Sequence, residues 1–363
     1  FYNLKVGFNE KNYLFQVGDH PKSNQIFNNK YPFFTHKSKF MSNHFKEFFI
    51  WLQKNYLKKN DNIIEIGSND GTFSSYFSKK NYHVIGFEPT LNVANIARKK
   101  KLKVISKFFN YKNVSKFKKM KNNINLICAA NVICHIPDLK DLIKSLDFLL
   151  SKKGLFIFEE PYLGAMFKKV SYDQIYDAHV FIFSLHSIKT IFKDYGFDLI
   201  NCLPQKTHGG SMRYVLARKN VYKVKGNVGK LLNKEKKAKL NKFSSCLKFK
   251  NDCEKSKKKF RQKILNLKKN GKTICGYAAS AKSTTALNYC KINYNHIEYI
   301  VDSTKEKIGK FTPGTHIPIK SPNYFKKNYT NFAILNSWNH RDEILKKEYK
   351  FIKRGGKWIS HVK

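Results

Sequence analysis

Hydrophobic positions along this chain follow the helical and the extended period in alternation. In SNHFKEFFIWLQKNY (42–56), apolar side chains fall at 45, 48, 49 and 52, the spacing of one helix face. From residue 62, short β-branched runs alternate with helical patterns: NIIEIG then GTFSSYFSKK, HVIGFEP then LNVANIARKK, INLICAAN then DLKDLIKSLDFLLSKKG, and LFIFEEP. The third of these helices carries apolar residues at 139, 142, 143, 146, 149 and 150, with Asp138 to cap it and Gly154 to end it. Another helix begins at Ser184, with 185, 188, 191, 192 and 195 on one face. FDLINCLPQ and SMRYVLAR then read as an antiparallel pair. Parallel βα repeats that finish in a hairpin predict an α/β fold, a doubly wound sheet with an antiparallel last strand. Ahead of the repeats, residues 1–38 show weak periodicity, with LFQVGDHP as one strand and turn.

Residues 226–270 are lysine-rich, with Leu240, Phe243 and Leu247, then Phe260, Ile264 and Leu267, at helical spacing, which predicts solvated helix. After Gly271 the alternation restarts in TICGYAASAKSTTALNYC, IEYIVDS, FAILNSW and EILKKEYKFIKRGGKWI, a second and smaller Rossmann-like unit. The expected organisation is a reduced N-terminal segment 1–41, a cofactor-binding domain 42–225, a helical connector 226–270 and a C-terminal domain 271–363.

At 363 residues, 42% of them hydrophobic, the chain can build two cores. The formal charge of +45 would suggest a polyanion partner, but it comes from 64 lysines and only six arginines. Asn, Ile, Phe and Tyr are abundant as well, a profile that AT-rich codons produce, so a lysine coat is expected and nucleic acid is not. Phosphate-bearing small molecules should still be attracted. The seven cysteines include no C-x-x-C pair and read as free buried thiols in a reducing compartment. No run of about eighteen apolar residues and no secretory signal is present, so a cytoplasmic protein without a membrane partner is expected. Nothing demands a dimer; a monomer or weak homo-oligomer is expected.

The stretch EIGSNDG (65–71) sets Gly67 and Gly71 in E-x-G-x-x-x-G spacing where the first strand of the repeats ends, the place where open α/β sheets bind ligands. It is not G-x-G-x-x-G and has no P-loop lysine. Glu88 ends the second strand, twenty-one residues after Gly67, where a carboxylate can accept both ribose hydroxyls of an adenosine. This pairing points to S-adenosylmethionine. ANVICHIPDL (130–139) follows the INLIC run at the position of the cofactor's methionine end, with His135 beside it.

Together these stretches resemble the sugar C-methyltransferases that act on nucleotide-linked keto-deoxysugars. The resemblance runs through EIGSNDGTF, GFEPT, NVICHIPD, EEPYL, YDQIYDAHVFIFS, THGGSMR, GYAASAKSTTALNY, PGTHIPI and SWNHRDEI, in that order across both units. It implies a class I methyltransferase domain followed by a nucleotide-sugar domain. Cofactor positions would be Glu65, Gly67, Ser68, Asn69, Asp70, Gly71, Glu88, Pro89, Asn131 and His135. Carbon beside a ketone becomes nucleophilic only after losing a proton, so a base and a partner for the enolate oxygen are needed. The family's Tyr-x-x-His element is Tyr176-Asp177-Ala178-His179 here, with His179 as base and Tyr176 as enolate partner or proton relay.

Substrate positions implied by the resemblance are Asp177, His208, Gly209, Ser211, Arg213, Lys282, Ser283, Trp338 and Asn339. His208 and Arg213 could meet anionic oxygens, and Lys282 with the helix it opens could share a phosphate. Two features depart from the family. Ala178 replaces a common glutamate, and no cysteine precedes Cys128, so the family's four-cysteine zinc module is not expected and no metal is assigned. Three other readings stand beside this one. An O- or N-methyltransferase would need no enolising base, and a non-catalytic nucleotide-sugar binder would bind without transfer. An RNA methyltransferase, suggested by charge, would lack both an N-P-P-Y turn and a cysteine pair for pyrimidine carbon-5.

Overall fold

The computed structural model describes residues 2–362. The chain forms two compact units: the first holds residues up to Tyr162 with Val180–Gln205 and Ser211–Asn241, the second Leu163–His179, Lys206–Gly210 and the chain from Lys242.

Strands of the first unit are β1 (Val6–Asn9), β2 (Leu14–Val17), β3 (Asn62–Ile66), β4 (His83–Phe87), β5 (Lys103–Ile105), β6 (Ile124–Ala130), β7 (Leu150–Pro161), β8 (Phe181–Ile182), β9 (Phe197–Gln205) and β10 (Ser211–Arg218). Seven of them form one sheet in the order β5-β4-β3-β6-β7-β10-β9. β3, β4, β5, β6 and β7 pair in parallel, while β10 runs antiparallel to both β7 and β9. This is the class I methyltransferase arrangement expected from the sequence, with its chain reversal at β3 and β6.

β3 shows why the sheet is covered on both sides. Ile63 packs with Phe48, Phe73, Phe77 and Val215, while Ile64 and Ile66 face the opposite cluster of Ile127, Phe156, Phe158 and Leu146. Burial on both faces turns a strand from alternating into continuously apolar. Helix Lys39–Asn55 closes the first face with Phe45, Phe48, Phe49 and Leu52, and Ser38 caps it by accepting from the Met41 amide. Helix Leu139–Leu149 closes the other with Leu142, Ile143, Leu146 and Leu149. Each fully buried aromatic or leucine contributes on the order of 2 kcal/mol.

Three expectations need correction. The helix capped by Asp138 stops at Leu149, and Leu150 already pairs with Ile124 in β7. Gly154 lies inside that strand, where a Cβ would sit 2.7 Å from the Ile124 carbonyl, so the glycine serves a strand irregularity rather than a helix end. Residues 226–270 form two helices, Gly226–Lys237 and Phe243–Lys269. In the longer one Phe243 and Leu247 are exposed, and the buried stripe is Phe249, Cys253, Phe260 and Ile264. Its register is set by partners distant in sequence, Phe167 stacked on Phe249 at 4.3 Å and His361 against Phe260. Near the N-terminus, LFQVGDHP supplies β2 as expected, but β1 pairs with it and β8 extends the ribbon.

The second unit has a five-stranded, all-parallel sheet, β11 (Ile274–Tyr277), β12 (Tyr299–Val301), β13 (Ile319–Lys320), β14 (Phe332–Leu335) and β15 (Lys357–Ile359), ordered β13-β12-β11-β14-β15. Its own reversal point lies between β11 and β14. All seven cysteines are free, and all but Cys246 are buried. Among the described residues, no helix is long and apolar enough to cross a membrane.

Candidate active site

In the first unit, β3 ends in a turn that only glycine can make. Gly67 has φ +66° and Gly71 φ +74°. A Cβ on Gly67 would lie 2.5 Å from a Val132 methyl, and one on Gly71 would lie 2.3 Å from Leu102. Val132 belongs to the turn that follows β6, and that turn is held from β7. Glu160 accepts the Val132 and Ile133 amides at 2.8 and 2.6 Å. Burial pushes the Glu160 carboxyl up to about 7. Asn131, at the start of the same turn, keeps a buried Oδ1 with no hydrogen-bond partner.

Glu88 is almost fully buried where β4 ends. One oxygen accepts the Asn69 amide at 2.9 Å, the other the Thr90 amide and hydroxyl at 2.9 and 2.5 Å. Burial still outweighs these donors and holds its pKa above the ordinary range. Glu65 lies behind the turn, takes a hydrogen bond from the Ser74 hydroxyl and is pushed up to about 8 by burial. Ser68 has a buried hydroxyl above Gly86 of β4. Pro89 separates Glu88 from Thr90, and the His135 ring meets Phe27 edge-on at 5.5 Å. Two glycines that clear the backbone, an anchored carboxylate and an unpartnered buried amide oxygen at three neighbouring strand ends fit an adenosyl amino acid. The Asn69 and Asp70 side chains, by contrast, turn away to hold residues 33–36.

In the second unit, Tyr176 and His179 are in direct contact. His179 is buried, and its Nδ1 donates to the Gln174 carbonyl at 3.0 Å. That bond fixes the tautomer and leaves Nε2 to accept the Tyr176 hydroxyl at 2.5 Å, with ring centroids 3.9 Å apart. Asp177 accepts the Ala178 amide at 3.0 Å. The segment carrying the pair is pinned through Asp173, which is fully buried: Trp338 Nε1 donates to it at 2.7 Å, and His361 Nε2 lies 3.3 Å away. Burial alone would raise the Asp173 pKa, but His361, Lys282 and Trp338 overcome it and hold the carboxyl below its usual range.

Trp338 stands on Gly209, where a Cβ would come 2.0 Å from the indole; Gly209 has φ +82° and His208 φ +51°. Lys169 donates to the Gly209 carbonyl at 2.5 Å, and the ammoniums of Lys169 and Lys282 lie 5.4 and 5.5 Å from the Trp338 ring centroid. The Lys282 Nζ is buried without a hydrogen-bond partner, and burial lowers its pKa against the pull of Asp173. Lys282 lies in the first turn of helix Ala281–Tyr289, where Ser283 completes a reciprocal cap with Ser280. Asn339 follows Trp338 in a short 3-10 turn.

The motif HGGSMR is divided by the fold. His208 and Gly209 belong to the second unit, Ser211 and Arg213 to the first. Arg213 lies in β10 between the rings of Phe48 and Trp51, at 3.8 and 4.4 Å, and its Nε donates to Glu159 at 2.6 Å. His44 takes the other Glu159 oxygen at 2.5 Å. The Arg213 guanidinium therefore meets a carboxylate of its own chain. Ser211 opens β10, buried opposite Pro161. Sequence reasoning missed Glu160, Asp173 and His361. The first was visible as the second acid of EEP, but the other two have no local signature.

Comparison with known proteins gives the following matches. The description "methyltransferase domain" matches residues 36–201, and "C-methyltransferase C-terminal domain" matches residues 206–362. The C-methyltransferase NovU of Streptomyces niveus is 28% identical over 304 residues, covering 84% of this chain and 72% of its own. Similar solved structures include magnesium protoporphyrin IX methyltransferase from Synechocystis with bound S-adenosylmethionine (13% identity, TM-score 0.38, 49% of this chain and 79% of that one). A possible histamine N-methyltransferase from Thermotoga maritima is another (18% identity, TM-score 0.39, 51% of this chain and 95% of that one).

Proposed function

We propose that this S-adenosylmethionine-dependent methyltransferase transfers its methyl group to an enolisable carbon of a keto-deoxysugar carried on a nucleoside diphosphate. The observation that carries this reading is the Tyr176–His179 contact. A carbon acceptor must lose a proton before it can take a methyl group, whereas an oxygen or nitrogen acceptor has a lone pair ready. A histidine with one nitrogen fixed by a carbonyl and the other facing a phenol is suited to removing that proton. In this reading, the proton leaving carbon passes to the Tyr176 oxygen as the phenol proton passes to His179 Nε2. Tyr176 then stabilises the enolate oxygen or the base pair it has joined.

The bound cofactor supplies an electrophilic sulfonium methyl. Gly67 and Gly71 would give it backbone clearance, Glu88 would accept its ribose hydroxyls, and Asn131 would meet its amino acid end. On the acceptor side, the buried Lys282 ammonium in the first turn of its helix would meet a phosphate. Trp338 offers a flat face for a ring, and His208, Gly209, Ser283, Asn339 and Asp177 are the remaining candidates for sugar and phosphate contacts. Arg213 would act on the substrate only through the Glu159 network it holds in place.

Solvent exchange tests the enolate step by itself. The enzyme is incubated in D2O with a thymidine-diphosphate-linked keto-deoxysugar and S-adenosylhomocysteine, and deuterium at the carbon beside the ketone is followed by NMR. Exchange catalysed by the wild type and lost in His179→Ala is expected. Absence of catalysed exchange, with both ligands shown to bind, would remove the enolate from the account.

A further inference from the structure

Asn69 and Asp70 sit in the middle of the glycine turn, yet their side chains do not line it. Asn69 Oδ1 accepts both the amide and the hydroxyl of Thr35, at 2.9 and 3.1 Å, and its Nδ2 donates to the Phe33 carbonyl at 3.2 Å. Asp70 Oδ2 accepts the His36 amide at 2.9 Å and lies 2.6 Å from the His36 ring nitrogen. From the helix that follows Glu88, Asn92 donates to the Tyr31 carbonyl at 2.9 Å. Six polar contacts thus tie residues 31–36, which have little regular structure of their own, to the two strand ends that would hold the adenosyl group. Asn69 links the two sets directly, because its own amide also donates to Glu88.

The tied segment carries aromatic rings toward the same place. Tyr31 packs on Phe27 at 5.4 Å, and Phe27 reaches His135 at 5.5 Å. Burial raises the Tyr31 phenol above its ordinary pKa, and the Tyr31 carbonyl is held by Asn92, four residues after Glu88. The Phe33 ring, by comparison, is exposed to water.

We propose that residues 27–36 form a strap that completes the cofactor pocket, and that Tyr31 is its cofactor-contacting residue. This rests on the assignment of S-adenosylmethionine to the Gly67–Glu88 turn. The side chains of Asn69 and Asp70 then hold the strap, and the backbone of their turn is left to the ligand. An apolar ring beside a ribose carboxylate excludes water from the hydrogen bonds that the carboxylate makes, which strengthens them. Because cofactor binding buries the strap's inner face, ligand and strap should order each other.

The test combines calorimetric titration of S-adenosylhomocysteine with amide hydrogen exchange read by mass spectrometry. Titrations use the wild type, Tyr31→Ala, Tyr31→Phe and His36→Ala, with circular dichroism to confirm folding. The expected result is about tenfold weaker binding for Tyr31→Ala, with His36→Ala weakened less, and slower exchange across 31–37 of the wild type when ligand is added. Should the wild type bind no ligand at all, the cofactor assignment itself fails. If the wild type binds but Tyr31→Ala and Tyr31→Phe match it, Tyr31 is not a contact. Exchange across 31–37 that ignores the ligand overturns the strap, and that readout needs no variant to fold.

Discussion

His179→Ala is expected to lower kcat for methyl transfer by roughly 10³–10⁴-fold, at the upper end of what a general base contributes, while S-adenosylhomocysteine binds as in the wild type. The expectation follows from the groups assigned to the cofactor, the glycine turn and Glu88, of which His179 is not one. Tyr176→Phe removes the hydroxyl but keeps the ring on the imidazole, and should cost nearly as much. Because the two side chains share one hydrogen bond, their losses should not add. The double variant is expected to resemble His179→Ala alone. Additive losses would mean that they act on separate groups of the substrate. An unchanged rate in His179→Ala would favour an oxygen or nitrogen acceptor, which needs no enolising base. Initial rates under saturating donor, read by mass spectrometry of the product, decide among these.

Arg213→Leu should destabilise the protein by about 3–5 kcal/mol, because it leaves Glu159 buried with half its partners gone. Burial works to raise the Glu159 pKa, but His44 and Arg213 together bring it below the ordinary carboxylate value. A carboxyl whose folded pKa is depressed contributes stability above its unfolded pKa and loses it as pH falls through the folded value. Without Arg213 the folded-state pKa of Glu159 should rise, and that contribution should vanish. The gap between wild type and variant in thermal melting should therefore be wide near neutral pH and narrow in acid. Replacing Glu159 by Leu in the same chain should recover much of the loss, since a paired apolar substitution removes the orphaned charge. If instead Arg213→Leu melts like the wild type and only the Michaelis constant for the sugar rises, Arg213 contacts substrate after all and the buried ion pair is dispensable.

The legible part of this protein was the part in which neighbours in sequence are neighbours in space. Buried parallel strands announce themselves as runs such as NIIEI and INLICAA, and helix starts are marked beside them by caps such as Asp138 and Ser184. The glycine turn was legible for the same reason, since its left-handed positions demand residues without a Cβ. Tyr176 and His179 were singled out by the family resemblance, and the spacing of three residues lets the two rings meet.

What escaped had partners far along the chain. Leu150 looks helical until Ile124 claims it as a strand partner, and Phe243 looks buried until the Phe167 stack rotates the stripe to Phe249. Asp173 stands in the YDQIYDAH stretch with nothing local to mark its role, and only folding brings Trp338 and His361 to it across 165 and 188 residues. Arg213 misled in the opposite direction. Its motif suggested an anion from outside, but the two aromatic rings and the carboxylate that enclose it come from Phe48, Trp51 and Glu159. The N-terminal segment showed almost no periodicity because its order comes from side chains of the glycine turn rather than from its own pattern.

The central claim is that this chain forms a carbon–carbon bond to a methyl group. It is tested most directly by incubation with S-adenosylmethionine labelled with ¹³C in its methyl group and a thymidine-diphosphate-linked keto-deoxysugar, followed by carbon and proton–carbon correlation NMR of the product. The predicted result is a labelled methyl at the chemical shift of a carbon-bound group and correlated with the sugar ring, formed by the wild type and not by His179→Ala. A label that appears on oxygen or nitrogen would contradict the claim, as would a donor and an acceptor that both bind while no label leaves the sulfur.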